Sequence, residues 1–112
     1  MIFLDKIIKS NEVILFKIMM SLEEIKKQLL PILARYNIKK ASIFGSVARG
    51  ESTIASDIDI LIELSDEASL LDFIAIKNEI EEKLGHKIDL VEINALKPAL
   101  RSRILKDQVV IL

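Results

Sequence analysis

Between residues 57 and 63 polar and apolar positions alternate, with Ile58, Ile60 and Ile62 on one side and Asp57, Asp59 and Leu61 on the other. A period of two predicts a half-buried strand. Residues 41–44 read as a shorter apolar strand, and 87–93 (Lys-Ile-Asp-Leu-Val-Glu-Ile) as a third. Elsewhere the spacing is helical. Leu22, Ile25, Leu29 and Leu33 recur on one face, and Ser21 with Glu24 has the spacing of a capping box. Pro31 predicts a kink or the start of a second short helix, because its ring displaces an intrahelical bond. Asn37 is a suitable left-handed stop. After a polar loop at 65–69, Ser69 and Asp72 predict another N-cap. Leu70, Phe73, Ile74, Ile80 and Leu84 then form an apolar stripe, with Glu79, Glu81, Glu82 and Lys83 outside it and Gly85 as the stop. Pro98 suits a helix start. Leu100, Ile104 and Leu105 are apolar there, and Arg101, Arg103 and Lys106 make a basic, solvated face. Residues 109–112 end the chain as a short strand or an interface segment.

The chemistry concentrates between 43 and 63. The alternation sets Asp57 and Asp59 on one strand face, about 7 Å apart at Cα. Two carboxylates held that close repel unless a cation lies between them, and hard ions such as Mg²⁺ take oxygen ligands of this kind. Upstream, Gly45 and Ser46 follow the first strand as a tight turn. A short helix starts around Val47, Ala48 and Arg49, and Gly50 ends it. Backbone N–H groups at such a start, with a hydroxyl beside them, can receive a phosphate. A phosphate cradle beside paired carboxylates points to a nucleoside triphosphate with a metal. Asp89 sits in an apolar strand, where a carboxylate is costly unless paired, solvated or metal-bound. An edge-strand Asp facing water explains it equally well in isolation. Beside a pair that already needs a cation, it becomes a candidate third carboxylate, with Glu63 and Glu92 as competitors.

Composition narrows the choice. The chain of 112 residues suits one domain, and 51% hydrophobic residues supply a core. The formal net charge of -1 carries no basic excess, so binding to DNA through its phosphates is not expected. With no cysteine and a single His86, a metal site must use carboxylates. The missing cysteines also fit a reducing cytoplasm. Residues 1–19 are apolar-rich but broken by Asp5, Lys6, Lys9, Glu12 and Lys17, so no run reaches membrane-spanning length. They lack the order of a signal peptide. Two readings stand for them: an added element that packs on the body or a partner, or an upstream extension before a start at Met19 or Met20.

Gly45-Ser46, ten residues, then Asp57-x-Asp59 resembles the signature of the DNA polymerase β-like nucleotidyltransferase superfamily. Ala48-Arg49-Gly50-Glu51 and Ser56-Asp57-Ile58-Asp59 resemble motifs of its minimal nucleotidyltransferase (MNT) family. Residues 87–91 resemble that family's third-carboxylate strand, and Leu96-Lys97-Pro98 with Ile104-Leu105 its C-terminal segment. The resemblance covers 21–112, which makes that span the nucleotidyltransferase domain and 1–20 an N-terminal extension. It implies an α+β fold, a small mixed sheet with helices packed on one face. It implies that Asp57 and Asp59 hold two Mg²⁺ ions, that Asp89 completes one site and helps activate the attacking hydroxyl, and that Gly45 and Ser46 hold the β- and γ-phosphates of ATP. Arg49 either adds a phosphate contact or pairs with Glu51 or Asp57. Members of the family commonly act as antitoxins that transfer AMP to a tyrosine of a HEPN-domain ribonuclease toxin. That is the expected function here. A non-catalytic antitoxin that covers its partner, and nucleotidyl transfer to a small molecule such as an aminoglycoside, are the alternatives. Apolar residues at both chain ends make a homodimer or a partner interface a further expectation.

Overall fold

The computed structural model describes residues 21–52 and 56–112. The expectations placed on 1–20 lie outside the described residues. Helix α1 (Leu22–Arg35) opens the fold. Strand β1 (Lys40–Phe44) leads directly into the short helix α2 (Gly45–Ala48). Strand β2 (Ile58–Glu63), helix α3 (Leu70–Leu84) and strand β3 (Ile88–Glu92) follow. A 3₁₀ turn (Ile93–Ala95), helix α4 (Pro98–Asp107) and the short strand β4 (Val109–Val110) complete it.

The sheet order is β3-β2-β1-β4. β1 is antiparallel to β2 and β4, whereas β2 and β3 are parallel. A parallel pair needs a crossover, and α3 supplies it. Alternation decides which side chains meet. Ile58, Ile60 and Ile62 are buried, as are Ile43 of β1 and Ile88 and Leu90 of β3. They join Ile25, Leu29 and Leu33 of α1 and Ile76, Ile80 and Leu84 of α3 in one core. The sheet is therefore mixed, with α1 and α3 on one face, as the family resemblance implied. α4 packs instead against β1 and α2.

The caps behave as their residue types require. The Ser21 hydroxyl accepts from Glu24 N at 3.3 Å. Asn37 adopts φ 53 after α1. At α3 the capping box closes in both directions, with Asp72 N donating to Ser69 Oγ at 3.2 Å and Ser69 N to Asp72 Oδ2 at 2.8 Å. Gly85 ends that helix at φ 62.

Two expectations need correction. α1 runs unbroken through Pro31 rather than dividing there. Pro31 faces outward, and burial of Ile32 and Leu33 just beyond it holds the last turn in place. In α3 the core row is Phe73, Ile76, Ile80 and Leu84, while Leu70 and Ile74 are 73% and 45% exposed. Leu70 and Ile74 stand four residues apart and form a neighbouring row, which the core row turns toward solvent.

Among the described residues no helix is long and apolar enough to cross a membrane.

Candidate active site

The site lies on the sheet face away from α1 and α3. Asp59 stands in register with Phe44 of β1 on one side and Asp89 of β3 on the other. Neighbouring strands run about 4.8 Å apart, so the two aspartates leave the same face side by side. Asp57 lies just before β2 and is partly buried. Ile58 between the two aspartates is fully buried, which anchors the alternation and commits Asp59 to the opposite face.

β1 ends at Phe44, and the chain turns sharply at Gly45, whose φ is +71. A β-carbon there would lie 3.0 Å from Asp59 Cγ and 3.3 Å from Asp59 Cβ, and inside contact distance of Oδ2. The backbone at Gly45 therefore rests directly against the Asp59 carboxylate, and no side chain fits between them. α2 starts at that point, and its N-cap residue Phe44 offers no side-chain hydrogen bond. Glu51 N donates to Ser46 O at 2.8 Å and closes the turn behind α2. Gly50 has φ +72 with nothing within 4 Å of a would-be β-carbon. It serves the turn alone, whereas Gly45 serves both the turn and the close approach.

Electrostatics tie the aspartates together. Asp59 is held above the usual carboxylate range, first by burial, then by the negative charges of Asp89 and Asp57, with Arg49 opposing. Asp89 and Asp57 thus both act on Asp59, against the opposing charge of Arg49. Among the described residues, no three carboxylate, imidazole or thiol groups close on a common metal-sized point. Mg²⁺ does not demand such a cage. It binds through one or two carboxylates and completes its shell with water and substrate phosphates. Hard oxygen donors around an electrostatically disfavoured Asp59 fit that requirement.

The other candidates separate cleanly. Glu92 accepts from Leu64 N at 2.8 Å and from Asn94 N at 2.9 Å, so it ties the two segments that follow β2 and β3. Glu63 pairs across from Lys40, four residues and about 13 Å along β2 from Asp59. Arg49 pairs with Glu51 at 3.0 Å, as one of the expected alternatives had it, and also reaches Asp107 at 3.6 Å. Nothing in the sequence marked Asp107. It comes to Arg49 only because α4 packs against α2.

Comparison with known proteins identifies the family. The polymerase β nucleotidyltransferase family matches residues 27–112. A Methanocaldococcus jannaschii protein that carries a provisional protein-adenylyltransferase name is 46% identical, over 83% of this chain and 100% of its own. The Thermococcus cleftensis protein adenylyltransferase MntA is 35% identical, over 81% of this chain and 96% of its own. A solved structure described as a minimal nucleotidyltransferase superposes with TM-score 0.72 at 34% identity, over 79% of this chain and 90% of the other. The same fold occurs in the MNT antitoxin complexed with tri-AMPylated Shewanella oneidensis HEPN toxin, at TM-score 0.64 and 15% identity over 80% of this chain and 71% of the other. With the family matched over 27–112 and relatives covering most of their own lengths, the chain belongs to the polymerase β nucleotidyltransferase family.

Proposed function

We propose that this protein is an antitoxin that transfers AMP from ATP to a tyrosine hydroxyl of a HEPN-domain ribonuclease partner and silences it. The observation that carries the reading is the contact between Gly45 and Asp59 with Asp89 in register beside it. The backbone at the start of α2 then lies directly against the Asp59 carboxylate, with Asp89 beside it. The adenylyltransferase names of the relatives support the reaction class. The toxin complex of the same fold supports the partner class. Residues 21–112 act as the transfer domain and 1–20 as an extension to it, in a cytoplasmic setting.

The roles are those that the family resemblance implies. Gly45 and Ser46 hold the β- and γ-phosphates, with the backbone N–H groups of α2 and the Ser46 hydroxyl as donors. Asp57 and Asp59 would hold two Mg²⁺ ions, with Asp89 completing one of the two sites. When bound, the ions supply positive charge to the attacking and leaving oxygens. Asp89 lies on the open edge of the cluster and takes the proton of the incoming hydroxyl. The tyrosine oxygen forms a bond to the α-phosphorus, the bond from that phosphorus to the bridging oxygen of the β-phosphate breaks, and pyrophosphate leaves. Arg49, held by Glu51 and Asp107, braces α2 against α4 and can reach a phosphate only by releasing those partners.

Parallel reactions with ATP labelled at the α- or the γ-phosphate test this. Label moving to the partner from the α-position alone, and not with Asp57→Ala, is the expected result. Label arriving from the γ-position would make the protein a phosphotransferase and overturn the reading. An unlabelled partner that is nevertheless bound and silenced would make it a covering antitoxin.

A further inference from the structure

β3 and β4 are opposite edges of the sheet, so the chain between them must cross it. It crosses on the face that carries Asp59 and Asp89, because α1 and α3 fill the other. α4 is the crossing element and contains no buried residue. It stands off from the sheet and leaves a groove of about 510 Å³. Leu61 lines the floor and lies two residues along β2 from Asp59, about 7 Å. Ser42 and Val110, paired across β1 and β4, continue that floor, and Leu105 contributes an apolar roof. Lys40 and Arg101, both exposed, stand at the mouth with Glu63 as the opposing charge.

The size is that of a pocket for a small organic group. No aromatic side chain lines it, so it offers no stacking platform of the kind that holds bases in single-stranded nucleic-acid sites. The floor is aliphatic, and the mouth carries more positive than negative charge. An aromatic ring on an acidic segment complements both.

We propose that this groove is the acceptor subsite, receiving the aromatic side chain that bears the attacking hydroxyl while Lys40 and Arg101 meet acidic residues flanking it. The proposal rests on the transfer reading above and extends it to how the acceptor is chosen. The ring enters beneath α4 and points its hydroxyl along β2 toward Asp59 and Asp89. α4 thereby becomes the element that recognises the acceptor, and Arg101 and Leu105 its specificity-determining residues.

Two variants test this in the full chain, Leu105→Trp to fill the groove and Arg101→Glu to reverse the charge at its mouth. Leu105 is 36% exposed and Arg101 lies on the surface, so neither change touches the core. The readouts are the KM for a HEPN-domain partner, kcat at saturating partner, and ATP affinity measured by binding with Mg²⁺ present. Each variant is expected to raise the partner's KM about tenfold, as disruption of a charged or apolar contact at an interface does. ATP affinity is expected to stay unchanged, and the effect of Arg101→Glu to shrink as salt rises. Weakened ATP binding with an unaltered partner KM would make the groove a nucleoside subsite and overturn the proposal. Two variants indistinguishable from wild type would also overturn it. A wild type that transfers nothing would refute the transfer reading itself, a failure visible before any variant is made.

Discussion

Gly45→Ala perturbs the contact on which the site depends. A β-carbon in the left-handed region costs about 1–2 kcal/mol. Turning the Asp59 carboxylate away from the 3.0 Å approach forces it off its preferred rotamer, at about 0.5–1.5 kcal/mol. Alanine also restricts the unfolded chain, which offsets about 0.4–1 kcal/mol. The net loss is about 2 kcal/mol, and a domain of this size loses roughly 4–8 °C of Tm per kcal/mol. Gly50→Ala is the matched control. Its φ of +72 is the same, but nothing lies within 4 Å. Only the backbone cost applies, so the net loss there is about 1 kcal/mol. Thermal unfolding followed by circular dichroism should show Gly45→Ala melting below Gly50→Ala. AMP transfer should be lost in the first and kept in the second. In an Asp59→Ala background the carboxylate is gone, and the cost of Gly45→Ala should fall to that of Gly50→Ala. Equal costs for the two glycines in the native background, or a Gly45 cost that ignores Asp59, would refute the reasoning.

Asp59 supplies a pH prediction. Its folded pKa lies above the ordinary value because of burial and its acidic neighbours. The stabilising contribution is therefore full below the unfolded pKa, near 3.8, and is lost as pH rises through the higher folded value. Without divalent cation, Asp59→Asn should raise Tm at neutral pH, and the gain should vanish on acidification; a gain that grows toward acid would contradict this. Glu92→Ala strands the N–H groups of Leu64 and Asn94, which should cost about 2 kcal/mol in urea unfolding. Transfer activity at low temperature should survive that change, and its loss would mean that Glu92 belongs to the site. Ser69→Ala removes one half of the α3 capping box and should cost about 1 kcal/mol by the same assay, with no effect on activity.

The parts of this account that were legible in the sequence are those written in local spacing. Ser21, Ser69 and Gly85 act within one helical turn, so their residue types sufficed. The alternation around Ile58, Ile60 and Ile62 assigned Asp59 its face before any partner strand was known. Asp89 was a candidate because of its neighbours in kind, but its register with Asp59 depends on how β3 docks, and β3 is set by a whole helix between. The misreadings have the same origin. Leu70 and Ile74 satisfy helical spacing as well as Phe73 and Ile76 do, and only the position of the sheet beneath α3 decides which row is buried. Pro31 is unfavourable locally, yet the burial of Ile32 and Leu33 outweighs one missing hydrogen bond. The contact from Arg49 to Asp107 and the groove beneath α4 exist only because the chain must cross from one sheet edge to the other. No local pattern records that crossing.

Intact-mass spectrometry of a HEPN-domain partner incubated with the protein, ATP and Mg²⁺ tests the central claim most directly. The account predicts a gain of one or more AMP units, located on tyrosine, abolished by chelation of the metal and by Asp59→Ala. An unchanged partner mass, or a gain that persists with Asp59→Ala, would contradict it.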